Sequence, residues 1–86
     1  MPEVVLYCTA TCPYCVRAER LLTDKGAEIR KIRVDLAPDE YDRMVDRTGR
    51  NTVPQIFIGE RHVGGYDDLV ELDLDGELDE LLGGDV

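Results

Sequence analysis

The sequence predicts an α/β sandwich: one four-stranded mixed sheet in the order 2-1-3-4 with helices on both faces. Three observations predict it. Val4-Val5-Leu6-Tyr7-Cys8 and Gln55-Ile56-Phe57-Ile58 read as short continuous apolar runs, the pattern of strands covered on both faces, and both call for central places. Lys31-Ile32-Arg33-Val34-Asp35-Leu36 alternates and Arg61-His62-Val63 is half polar, so these two suit the edges. A segment of helical period separates the first two strands, which makes them parallel through a right-handed crossover. Gly59-Glu60 reads as a hairpin turn, which makes the last two antiparallel.

The helices follow from spacing and end signals. Over Pro13–Lys25, Cys15, Ala18, Leu21 and Leu22 share one face, and Gly26 suits the position just past the C-cap. Pro38 opens a second helix with Asp39 and Glu40 in its positive first turn. Its expected inner stripe is Tyr41, Met44, Val45 and Thr48, and Gly49 closes it. Gly64-Gly65 breaks the last strand before a helix from Tyr66 to Asp73, and Leu78, Leu81 and Leu82 imply one more helical turn before a frayed tail. The order is β-α-β-α-β-β-α. At 86 residues the chain is expected to be a single domain, residues 1–86.

Composition excludes several function classes. With 10 basic against 19 acidic residues the net charge is −9, and the pI is near 4.4. Neither a nucleic-acid backbone nor an anionic lipid surface is a fitting partner. No apolar run approaches the ~20 residues of a membrane span, and Met1-Pro2-Glu3 lacks the features of a secretory signal. A soluble, cytoplasmic monomer is expected. Eight Arg, two Lys and eleven Asp fit either a GC-rich genome or a surface adapted to high salt.

The chemistry is concentrated in Cys12-Pro13-Tyr14-Cys15, where the first strand gives way to the first helix. Three cysteines are too few for a disulfide-stapled secreted module. Zinc would need Cys8 and His62 to complete four ligands, a set the chain permits only on paper. The position favours redox chemistry instead. With Pro13 at N1, Cys12 occupies the N-cap, where its sulfur can accept from the free N–H groups of Tyr14 and Cys15. Those donors and the helix dipole favour thiolate over thiol. Cys15, three residues on, shares that face at roughly 5–6 Å, within reach of a disulfide. Cys12 is thus the expected nucleophile and Cys15 the resolving thiol. Cys8, ending a buried strand, reads as a small hydrophobe, and His62 reads as plain surface.

Two further segments accompany the pair. In Thr52-Val53-Pro54 a proline stands just before a central strand, where it cannot donate to the ladder. X-Pro bonds are cis in roughly 5–6% of cases, so the residues alone leave this one open. In Gly64-Gly65-Tyr66-Asp67-Asp68, the glycines permit close approach to a ligand and the helix start offers N–H groups to a carboxylate.

Together these segments resemble the dithiol glutaredoxins of the small bacterial type, from Val4 to about Leu82. The resemblance rests on Tyr7 with Thr11-Cys12-Pro13-Tyr14-Cys15, on Gly49-Arg50-Asn51-Thr52-Val53-Pro54-Gln55-Ile56-Phe57-Ile58, and on Gly64-Gly65-Tyr66-Asp67-Asp68-Leu69. It implies a thioredoxin-like fold, a cis Val53–Pro54 bond, and a glutathione groove beside Cys12. Tyr14, Thr52, Val53, Pro54, Gly65, Tyr66 and Asp67 would line that groove, Val53 through its backbone and Tyr66 and Asp67 at the γ-glutamyl end, with Arg50 a weaker candidate. No bound cofactor or metal is implied; glutathione, or a γ-glutamylcysteine-like thiol, would be the co-substrate, and protein disulfides the other substrates. One departure stands out: Thr9 occupies the place where the family usually carries a Lys. Two other uses of the scaffold remain open, a redoxin served by a flavoprotein reductase and a [2Fe–2S] carrier built from two chains.

Overall fold

The computed structural model describes residues 2–83. The elements run β1 (Val4–Cys8), α1 (Pro13–Asp24), β2 (Ile29–Arg33), α2 (Pro38–Thr48), β3 (Gln55–Ile58), β4 (Arg61–Gly64), α3 (Tyr66–Leu74) and α4 (Glu77–Leu81). The sheet order is β2-β1-β3-β4, as the two apolar runs require. β1 is parallel to β2 and antiparallel to β3, and β3 pairs antiparallel with β4 across a register shift at Ile56/Phe57.

All residues of β1 and β3 are buried, because helices cover both faces of the sheet. On one face Val4, Leu6, Cys8, Ile56 and Ile58 pack against Cys15, Ala18 and Leu22 of α1, Leu69 and Leu72 of α3, and Leu78 of α4. On the other, Val5, Tyr7, Val34 and Phe57 meet Met44 of α2. Lys25, the C-cap of α1, ties the first layer together through Asp73 at 2.8 Å and Asp79 at 2.9 Å.

Two strand boundaries and the burial of one helix differ from the sequence reading. β2 begins at Ile29 and ends at Arg33, so Val34-Asp35-Leu36 forms a turn rather than strand. The cause is local: Arg33 forks onto Asp35 at 2.7 and 2.6 Å, and the Leu36 N–H bonds back to the Arg33 carbonyl. Only Met44 of the expected α2 stripe is fully buried; Tyr41 is exposed, while Val45 and Thr48 are half-buried. β4 extends one residue further, with Gly64 opposite Ile56. The expected frayed tail falls on residues 84–86, outside the described residues.

Candidate active site

β1 delivers the chain to the N-terminus of α1, where Cys12 takes an extended conformation (φ −113°, ψ 103°) as N-cap and Pro13 starts the helix. The Cys12 sulfur accepts the Cys15 N–H at 3.1 Å and lies 3.8 Å from the Val53 carbonyl. An N-cap sulfur receiving a helix-terminal donor is held where negative charge is favoured. Cys12 is half-buried, whereas Cys15 is 4% exposed behind it. Burial, then the hydrogen bond and charge of Cys12, push the Cys15 thiol up to about 12, against a Thr9 backbone donor that lowers it. The two sulfurs are therefore unequal in access, and the buried Cys15 is held protonated. Cys8 is packed in the core and burial raises its thiol too, despite Lys31 and Arg33 nearby.

Beside the pair lies an open groove of about 350 Å³ lined by Tyr14, Arg50, Thr52, Val53, Pro54, Gln55, Gly65, Tyr66, Asp67 and Asp68. All seven groove residues expected from the resemblance are among them. The rings of Tyr14 and Tyr66 stand 6.0 Å apart, and the Val53–Pro54 bond is cis. A larger cavity of about 680 Å³, at Pro2, Glu3, Gly26, Glu28, Ile29 and Arg30, sits by the start of β1. It carries no nucleophile and lies at the other end of that strand, so the groove beside Cys12 is the chemically relevant one. Among the described residues no three His, Cys, Asp or Glu side chains gather to hold a metal.

The α3 end of the groove is built by one carboxylate. Asp68 Oδ2 accepts the Gly65 N–H at 2.9 Å and meets Arg50 Nη1 at 3.3 Å. The Gly65 donor first, then Arg50, holds the Asp68 carboxyl below the usual carboxylate range. Gly64, at φ +114°, passes so close that any Cβ there would overlap Asp68 Oδ2.

Sequence reasoning missed the groove's back wall. Gln55, at 1% exposed, donates from Nε2 to the Thr52 carbonyl at 3.1 Å and approaches Thr52 Oγ1 at 3.4 Å. Its Oε1 meets His62 Nε2 at 2.7 Å. His62 is thus half-buried and bonded rather than plain surface, its ring 5.0 Å from that of Phe57. Arg47 spans the same wall, bonding the Tyr7 hydroxyl at 3.0 Å and lying 3.8 Å above the Phe57 ring. One signal for Gln55 existed: an amide opening a strand covered on both faces must find partners.

Comparison with known proteins agrees with this geometry. Residues 4–63 match the family model described as Glutaredoxin. A glutaredoxin of Pseudomonas aeruginosa is 51% identical over 82 residues, covering 95% of this chain and 98% of that protein. The solution structure of a glutaredoxin from Brucella melitensis superposes with a TM-score of 0.85 at 50% identity, covering 98% and 91% of the two chains. A buckwheat glutaredoxin solved as a glutathione complex superposes at 0.87 with 33% identity, covering 95% of this chain and 77% of that one.

Proposed function

Since the chain belongs to the glutaredoxin family and is a thiol–disulfide oxidoreductase, we propose that Cys12 is its nucleophile, Cys15 its resolving thiol, and glutathione the small thiol held in the groove. The observation that carries this is the inequality of the two sulfurs beside a groove with a peptide-bearing wall.

Cys12 thiolate attacks one sulfur of a substrate disulfide, forming a mixed disulfide and expelling the other sulfur as thiolate, which takes a proton. Cys12 then no longer carries charge, and two of the influences that hold Cys15 protonated disappear with it. Cys15 can now lose its proton and attack the Cys12 sulfur, releasing the second substrate thiol and closing the Cys12–Cys15 disulfide. Two molecules of glutathione restore the dithiol and leave as glutathione disulfide. With a mixed disulfide of glutathione as substrate, Cys12 keeps the glutathionyl group and a second glutathione resolves it directly.

The groove suits a γ-glutamyl peptide. The Val53 backbone would pair with the cysteinyl residue, while Tyr66, Asp67 and the α3 N-terminus would hold the γ-glutamyl charges, with Tyr14, Thr52, Pro54 and Gly65 shaping the walls. The structure of a related glutaredoxin in complex with glutathione supports this reading. A γ-glutamylcysteine-like thiol would use the same contacts without the glycine. We place the chain in the cytoplasm as a monomeric, single domain; no helix among the described residues is long and apolar enough to cross a membrane.

The test is turnover of a glutathione mixed disulfide coupled to glutathione reductase, against disulfide reduction coupled to a thioredoxin-type reductase. Rapid turnover only with the first supports the reading, and turnover only with the second overturns it.

A further inference from the structure

We infer that His62 is a positioning residue for the groove: acting through Gln55, it holds the Thr52–Val53 peptide group so that the Val53 N–H faces the incoming thiol. The inference rests on the proposed binding of a small peptide thiol along Val53.

The bonding order around Gln55 is unambiguous. Its Nε2 is committed to Thr52, so Oε1 is the end that faces His62 at 2.7 Å, and His62 Nε2 must carry a hydrogen. Burial first, then Arg50 and, more weakly, Arg47, keep His62 below its ordinary value against the opposing pull of Asp68. At neutral pH the ring is therefore neutral, with Nε2–H as its single donor. The ring cannot swing freely, because it stacks on Phe57, its cross-strand partner, which Arg47 covers at 3.8 Å.

The consequence passes to Thr52. Among the described residues Val53–Pro54 is the cis bond, so the Thr52–Val53 peptide is trans and its C=O and N–H point in opposite directions. Anchoring the Thr52 carbonyl on Gln55 aims the Val53 N–H the other way, and Val53 lines the groove. Without the His62 donor, Gln55 Oε1 is left buried and without that partner, and the amide is held by Thr52 alone. The amide then turns to find Oε1 another partner, and the Thr52–Val53 peptide plane that it anchors loosens with it.

The experiment compares wild type with His62→Leu, which lacks a donor, His62→Gln, which restores an N–H, and Ile58→Ala, which loosens β3 from its opposite face and leaves the His62 ring and its donor in place. Two readouts are taken: the Val53 backbone amide by ¹H–¹⁵N resonance position and hydrogen exchange, and KM and kcat for a glutathione mixed disulfide. Losing one positioning hydrogen bond predicts a KM raised roughly three- to tenfold in His62→Leu, with kcat within about twofold. The Val53 amide should shift and exchange faster, His62→Gln should recover both, and Ile58→Ala should lower Tm with KM unchanged. A Val53 amide indifferent to His62→Leu, or a KM raised as much by Ile58→Ala, overturns the inference. The amide is read without any thiol present, so a wild type inactive with glutathione would count against the functional reading alone.

Discussion

Replacing Gly64 by Ala should damage both stability and substrate binding, and the structure says by how much. Gly64 sits at φ +114°, where an L-residue is strained whatever space is available; residues forced into such regions cost about 1–3 kcal/mol. Space is not available either. The new Cβ would overlap Asp68 Oδ2, with Asp68 Cγ at 2.9 Å and Arg50 Nη1 at 3.2 Å. The carboxylate must move, and with it goes the bond to the Gly65 N–H, a helix-capping contact worth about 0.5–2 kcal/mol. The total is roughly 1.5–5 kcal/mol. A domain of this size loses roughly 4–8 °C in Tm per kcal/mol, so the drop lies between about 6 and 40 °C.

Urea unfolding should show a lower midpoint at constant slope, and KM for a glutathione mixed disulfide should rise because the start of α3 is displaced. A double-mutant cycle isolates the cause. Asp68→Ala removes the colliding group, so it should cost clearly less in the Gly64→Ala background than in wild type. A Gly64→Ala protein within about 0.5 kcal/mol of wild type, or strict additivity of the two substitutions, would refute the reasoning.

Other perturbations test the sulfurs, the loop before them and the choice of thiol. With its value near 12, only about 10⁻⁴ of Cys15 is thiolate at pH 8, so mass spectrometry should find iodoacetamide on Cys12 first. Cys12→Ser should abolish all activity, whereas Cys15→Ser should still release glutathione from mixed disulfides but lose most dithiol reduction of proteins; equal loss of both refutes the assigned roles. Asp35, which accepts from Arg33 and from the Ala10 N–H of the loop before Cys12, is held at about 2 against an ordinary 3.8, mainly by Arg33. Its folded value is depressed, so its stabilisation is present above 3.8 and lost as pH falls through about 2; the Tm profiles of wild type and Asp35→Asn should converge there. Thr9 lies beside Cys8, Cys15, Lys31 and Arg33, and both cations are already paired, with Glu19 and Asp35. A glycine carboxylate gains little there, so wild type should show little preference for glutathione over γ-glutamylcysteine, and Thr9→Lys should add one worth ~0–1 kcal/mol at low salt.

The parts of this protein legible in the sequence are those whose cause is local. Cys12, Pro13 and Cys15 define a helix start by themselves, and the burial of β1 and β3 follows from their composition. The strand order follows in turn, since two fully covered strands and two half-polar ones fit one sheet in few ways. Where a pattern continues past its cause, the reading fails. Lys31–Leu36 alternates throughout, yet the Arg33–Asp35 fork turns the chain while Val34 stays buried at 6% exposure. A period of two is satisfied equally by a strand and by a strand followed by a turn.

The residues missed share one physical origin. Among the described residues, thirteen buried side chains fill the core on the α1, α3 and α4 face, against five on the α2 face. Helix α2, Pro-Asp-Glu-Tyr-Asp-Arg-Met-Val-Asp-Arg-Thr, supplies one fully buried residue, Met44, too little to cover the strands above it. Polar groups complete that face: Arg47 on Tyr7 and Phe57, and His62 on Gln55. Buried polar groups must pair, and the Tyr7 hydroxyl and the Gln55 amide find Arg47 and His62 across strands and layers, so no local period announces them. The same pairing anchors the Thr52 carbonyl. A helix too polar for its position therefore leaves the groove wall held by directional hydrogen bonds rather than by apolar packing, which resists sliding but does not fix the orientation of a peptide plane.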